Sequence, residues 1–101
     1  IIDRGSSTFH QDVRWTPTVH MIPSIKSICN IPVIFDASHS TGRRDLVSPM
    51  TLAGVAAGAN GVLVEVHDNP KKSLSDADQA IDIKSFIKLM DKIKKVRSAI
   101  E

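Results

Sequence analysis

The chain has 101 residues, a formal net charge of +2 and 42% hydrophobic residues, a composition that excludes a disordered or membrane-embedded protein and fits at most one globular domain. The slight basic excess gathers at Lys92, Lys94, Lys95 and Arg97, where it reads as a solvated helix face and not as a nucleic-acid surface. A lone cysteine, Cys29, excludes an internal disulfide framework, and the lack of an apolar leader or of a run of about 20 apolar residues points to a cytoplasmic protein that contacts no membrane.

In chain order, Ile1-Ile2-Asp3 reads as the end of a β-strand entered without any lead-in, so the chain is expected to be part of a longer one. A long loop follows. Pro23 opens a helix over about residues 23–29, because proline is tolerated in a first turn and not deeper. Residues 31–36, rich in β-branched side chains and set off at their start by Asn30 and Pro32, predict a second strand. Apolar residues over 46–58, ending at Gly58, predict a crossover helix with its glycine in the expected C-terminal place. Residues 61–66 predict a third strand. From Asp82, a good N-cap, the series Ile83, Phe86, Ile87, Met90, Ile93, Ile100 predicts an amphipathic helix packed on the outside of a sheet.

The strand ends recur at about 30 residues, the size of a βαβ unit. The fold class is therefore α/β with a parallel sheet, doubly wound or closed as a barrel. A closed (β/α)8 TIM barrel needs roughly 250 residues, so this chain supplies about three of its eight units. Alone it leaves sheet edges and apolar helix faces uncovered.

Each strand finishes in polar chemistry: Arg4 after the first, Asp36, Ser38 and His39 after the second, Glu65 and His67 after the third. In a parallel array those ends share the face on which active sites are built. Glu65 interrupts an apolar strand, a costly place for a carboxylate without a cation or a strong partner. One imidazole and two carboxylates, His39, Glu65 and Asp76, suit a divalent ion such as Mn, Fe or Zn; the alternative is an ion pair of Glu65 with Arg4 beside a hydrogen-bonded His39. His67 shares the face of Glu65 by strand alternation and reads as a group supporting a ligand. Residues 40–45, with a glycine and two arginines, read either as a phosphate cradle or as a helix start capped by Asp45, with Arg43 and Arg44 solvated. Arg4 is the better anion candidate. His10 and His20 have no partner identifiable from spacing, and Cys29, at a helix end, reads as packing.

Three segments in order, Asp-Ala-Ser-His-Ser-Thr-Gly-Arg-Arg-Asp-Leu-Val (36–47), Ala-Gly-Ala-Asn-Gly-Val-Leu-Val-Glu-Val-His (57–67) and Leu-Ser-Asp-Ala-Asp-Gln (74–79), resemble 3-deoxy-7-phosphoheptulonate (DAHP) synthase, in the branch related to 3-deoxy-manno-octulosonate 8-phosphate synthase. The resemblance covers nearly the whole chain. It implies that residues 1–101 are the C-terminal portion of one catalytic barrel, whose complete form joins C3 of phosphoenolpyruvate to the aldehyde carbon of erythrose 4-phosphate, with water adding at C2 and phosphate leaving, at the head of the shikimate route to aromatic amino acids.

The same resemblance places the metal ligands on His39, Glu65 and Asp76, catalysis on His39 and Glu65, and substrate contacts on Arg4, Ser38 and Arg43. It also implies a homo-oligomer. The family's fourth ligand, a cysteine from an early strand, has no counterpart here, and Ser7 stands where the heptulonate enzymes carry a second arginine. The rivals are the octulosonate enzyme, which has a longer loop after its metal histidine, and a non-catalytic module derived from the barrel.

Overall fold

A computed structural model of the chain describes residues 1–3, 19–41, 43–68 and 80–101. The elements run β1 (Ile2–Asp3), α1 (Met21–Ile28), β2 (Ile34–Asp36), α2 (Ala37–Thr41), α3 (Arg44–Ala56), β3 (Gly61–Leu63) and α4 (Ile83–Ile100). The three strands pair in parallel in the order β1-β2-β3. Ile2 sits opposite Ile34 and Ile34 opposite Gly61. Consecutive parallel strands, each joined to the next through helix, are the arrangement from which a (β/α) barrel is built.

The predicted elements are all present, with shifted limits. α1 begins two residues before Pro23, which leaves the proline inside the first turn, where its missing N–H is not needed. The second strand is shorter than predicted, because paired backbone begins only at Ile34 and Ile31 is exposed. Asn60 fixes its start: the Val33 N–H donates to Asn60 Oδ1 at 3.0 Å, and the Asn60 N–H donates to the Val33 carbonyl at 2.8 Å. The third strand ends at Leu63, and its continuation survives as one parallel bridge between Val66 and Ile81. α2 was not expected at all. It turns the stretch after β2 from a simple strand end into five helical residues.

α3 starts at Arg44 and tolerates Pro49 in its interior. Its buried positions, Val47, Thr51, Gly54 and Val55, recur at the spacing of one helix face. At its end the Gly58 N–H donates to the Val55 carbonyl at 3.0 Å and the Ala59 N–H to the Gly54 carbonyl at 3.1 Å, the paired closure that requires a left-handed residue between. Gly58 supplies it, with φ of +103°. Lys26 of α1 donates to the Gly58 carbonyl at 2.7 Å, tying that helix end to its neighbour.

Two apolar clusters lie on either side of α3. Ile22, Val33, Phe35, Ala37 and Ala59 form one, with Met50 of α3 against it; Val47, Ile81 and Leu89 form the other, with Phe86 and Ile93 of α4 packed on it. α4 begins as predicted, the Asp82 carboxylate accepting from the Ser85 N–H at 2.7 Å. Its packed face runs through Phe86, Leu89 and Ile93, whereas Ile83 and Ile87, expected on that face, are 51% and 59% exposed. The predicted apolar series was wider than the stripe a single neighbouring helix can cover. Ile1, Ile2 and Ile28 are likewise exposed, so the edge strand and the helix faces do remain uncovered, as expected of a partial barrel. Lys92, Lys94, Lys95 and Arg97 are all exposed. Among the described residues, no helix is long and apolar enough to cross a membrane.

Candidate functional site

The ends of β2 and β3 meet at His39 and Glu65. β2 closes on Asp36, which is 2% exposed, and the chain turns at once into α2. One Asp36 oxygen, Oδ1, accepts from the His39 backbone N–H at 2.9 Å and so caps that turn. The other, Oδ2, lies 2.6 Å from His39 Nδ1. This pair of contacts, three residues apart, presents the far side of the ring across the gap to the next strand, and His39 Nε2 comes to 3.4 Å from Glu65 Oε1.

Ser38 ties the two strand ends together. It is fully buried, and its Oγ accepts from the Glu65 backbone N–H at 3.0 Å. Beyond Glu65 the chain is held on its other side, where the Glu65 carbonyl accepts from the Ile81 N–H at 3.0 Å and the Ile81 carbonyl from the His67 N–H at 2.9 Å. Glu65 therefore projects from a backbone fixed on two flanks. Its side chain is 37% exposed and that of His39 18%, as suits groups facing an accessible site.

This donor set fits a divalent ion. Two ligand atoms, each about 2.1 Å from one ion and separated by a tetrahedral angle, stand about 3.4 Å apart, the separation of His39 Nε2 and Glu65 Oε1. A metal-binding imidazole commonly donates its other N–H to a carboxylate, which is the place Asp36 takes. Among the described residues no group of three His, Cys, Asp or Glu side chains converges on one point. Asp76, the expected third ligand, lies outside the described residues, as do Arg4, His10 and the glycine of the 40–45 loop.

Of the two readings of that loop, the structure overturns the cap at Asp45. Asp45 does not cap α3; Arg43 occupies the N-cap position in extended backbone, and Asp45 stands in the first turn. The Arg43 guanidinium grips Asp45 in a two-pronged contact, Nε to Oδ1 at 3.1 Å and a terminal nitrogen to Oδ2 at 2.7 Å. That hydrogen bonding holds the Asp45 carboxyl below the ordinary carboxylate range. Arg44 is exposed, as expected of a solvated arginine, but it also donates to the Ala80 carbonyl at 2.7 Å.

His67 follows the end of β3, and its Nδ1 is 3.2 Å from Asp68 Oδ1. Cys29 is exposed at the end of α1, which corrects its reading as a packed residue: the helix ends before it with its side chain outward. Sequence reasoning marks Asp36 only as one of the polar residues at a strand end, without a role of its own. Its signal was the Asp-x-x-His spacing at a strand end, where a capping carboxylate and a ring three positions on fall on the same side of a helical turn.

Parallel strands in sequential order, with polar groups collected at their C-terminal ends, match a fragment of the TIM-barrel aldolase fold. The fold superposes with a TM-score of 0.96 on a crystal structure of phospho-2-dehydro-3-deoxyheptonate aldolase (DAHP synthase) from Thermotoga maritima, at 41% identity, covering 98% of this chain and 29% of that one. A truncated form of the Thermotoga maritima synthase superposes equally well, with 38% of its chain covered.

The model of the DAHP synthetase I family matches residues 1–101, and the chain belongs to that family. In sequence it is 41% identical to phospho-2-dehydro-3-deoxyheptonate aldolase of Thermotoga maritima, over 99% of this chain and 30% of the relative, and 30% identical to 2-dehydro-3-deoxyphosphooctonate aldolase of Desulfotalea psychrophila, over 100% of this chain and 39% of the relative. The chain thus spans well under half the length of these relatives. It sits within the superfamily that joins the two kinds of aldolase.

Proposed function

We propose that residues 1–101 form the C-terminal portion of one catalytic barrel, and that the complete enzyme condenses phosphoenolpyruvate with erythrose 4-phosphate to 3-deoxy-7-phosphoheptulonate, releasing phosphate. The observation that carries the reading is the approach of His39 Nε2 to Glu65 Oε1 at the ends of neighbouring strands, in a chain of this family. His39, Glu65 and Asp76 would hold a divalent ion of the Mn, Fe or Zn kind. When bound, such an ion acts as a Lewis acid on a carbonyl oxygen.

The chain's own groups have separate tasks. Asp36 keeps the His39 ring turned toward Glu65, and Ser38 holds the Glu65 backbone. Arg4 and Arg43 supply positive charge for the phosphate and carboxylate groups of the substrates; Arg43, held by Asp45, would share its guanidinium with an incoming anion. Assembly into a homo-oligomer belongs to the same reading of the complete enzyme.

The octulosonate reaction is the second reading, because relatives of that name also match the whole chain. Two features favour the heptulonate one. Identity is 41% against 30%, and the match to the octulosonate aldolase runs over 112 residues against this chain's 101, so that relative carries extra residues, in keeping with the short loop after His39. By carbon count the octulosonate reaction needs a five-carbon aldehyde where the heptulonate reaction needs four. Phosphate release by the full-length protein, measured with phosphoenolpyruvate, each aldehyde phosphate and added Mn, separates the two. Activity with the four-carbon aldehyde that is abolished in His39→Ala and Glu65→Ala, with the fold retained, is the expected result; full activity in either variant would remove the site assignment.

A further inference from the structure

We propose that Asp36 is a positioning residue that sets the tautomer of His39, so that the lone pair of the neutral ring lies on Nε2 and faces Glu65. The proposal rests on the metal reading above for its consequence, and on geometry alone for its substance.

A carboxylate can only accept hydrogen bonds. With Asp36 Oδ2 at 2.6 Å from His39 Nδ1, a neutral ring carries its proton on Nδ1 and turns the acceptor nitrogen Nε2 toward Glu65 Oε1, 3.4 Å away. Two anionic groups thus flank one imidazole, and a cation between Nε2 and Glu65 relieves the meeting of lone pair and carboxylate. Asp36 is itself fixed. Its side chain is buried and its second oxygen is engaged by the His39 backbone N–H at 2.9 Å, so the carboxylate cannot rotate away without uncapping α2.

That double engagement makes one substitution decisive. In Asp36→Asn the backbone N–H of His39, a donor only, still demands the oxygen of the new amide. The NH2 then faces Nδ1, which must accept. The neutral ring is driven to carry its proton on Nε2, where it donates to Glu65 and offers no lone pair to a cation. The variant keeps size, cap and burial while reversing the tautomer, an effect that a purely structural role for Asp36 would not produce.

The experiment uses full-length protein labelled with 15N-histidine, with the His39 signals identified by their loss in His39→Gln and recorded with the ring neutral. The wild-type protein without metal should show Nδ1 protonated and Nε2 bare, and Asp36→Asn should show the reverse. Manganese titration should find binding weakened about 10- to 100-fold in Asp36→Asn, the usual effect of losing such a support. A wild-type ring protonated on Nε2, or an Asp36→Asn ring that keeps the wild-type tautomer, overturns the proposal, and the first of these needs no folded variant. If the wild-type protein binds no manganese, the metal reading fails by itself, and the tautomer measurement still decides the role of Asp36.

Discussion

Gly54 of α3 lies so close to Phe35 of β2 that a methyl group placed on it would stand 2.5 Å from Cδ2 of the ring and 3.1 Å from its Cβ. Helix and strand touch there with nothing between them. Phe35 is fully buried and cannot swing aside, because the contact reaches the root of its side chain. In an unencumbered helix Gly→Ala gains stability; here the overlap dominates. Gly54→Ala is expected to lower stability by about 1–3 kcal/mol, read as a reduced Tm of the full-length protein. A raised Tm would show that the helix does not approach the strand this closely.

Thr51, one turn earlier on the same face, is fully buried, and its hydroxyl has no hydrogen-bond partner among the described residues. An unsatisfied buried hydroxyl costs about 1–3 kcal/mol. Thr51→Val keeps the shape and removes the cost, so urea unfolding should shift to higher concentration. A shift the other way would reveal a partner for the hydroxyl.

Ser38→Ala removes the acceptor of the Glu65 N–H. The orphaned donor should cost about 1–3 kcal/mol, and the loosened Glu65 should weaken manganese binding while leaving the tautomer of His39 unchanged. Isothermal titration with the metal checks the first effect and histidine 15N spectra the second. Unaltered metal affinity would mean that Ser38 serves packing alone.

Asp82 opens α4, and its carboxyl is held below the ordinary range first by the Ser85 side chain and then by the Ser85 N–H. A group whose folded value is lowered contributes stability that is present above its unfolded value and is lost as pH falls through the folded one. The contribution is therefore intact at neutral pH and disappears below about pH 4, the ordinary carboxylate range. Asp82→Asn, which still caps, should retain most of the neutral-pH Tm and flatten its acid dependence at this helix end; Asp82→Ala should lower the Tm at neutral pH. Equal acid profiles in the wild type and Asp82→Asn would show that Asp82 adds nothing to the pH dependence.

The start of α4 at Asp82, the stop of α3 at Gly58 and the spacing of the strands were legible in the amino acids because each depends on neighbours within a few positions. A cap needs a carboxylate and an N–H three residues on, and a left-handed turn needs a glycine. The collection of His39 and Glu65 at one end followed from the parallel order alone, since parallel strands finish on one face. The residues that fine-tune that end were not legible in the same way. α2 escaped notice because five residues are too few to show a period, and the wide apolar series of α4 hid which half of it would find a neighbour.

The amino acids by themselves determined a βα succession and a polar strand-end face carrying an imidazole and carboxylates. Only the tertiary structure decided that Ser38 holds the Glu65 backbone, that Arg43 is engaged by Asp45 while Arg44 reaches Ala80, and which atoms of His39 face Asp36 and Glu65. The physical reason is register. Residues 26 or 27 positions apart, such as His39 with Glu65 and Ser38 with the same glutamate, meet only once β2 and β3 align with Asp36 opposite Leu63, and a slip of one residue would turn those side chains to the other face of the sheet.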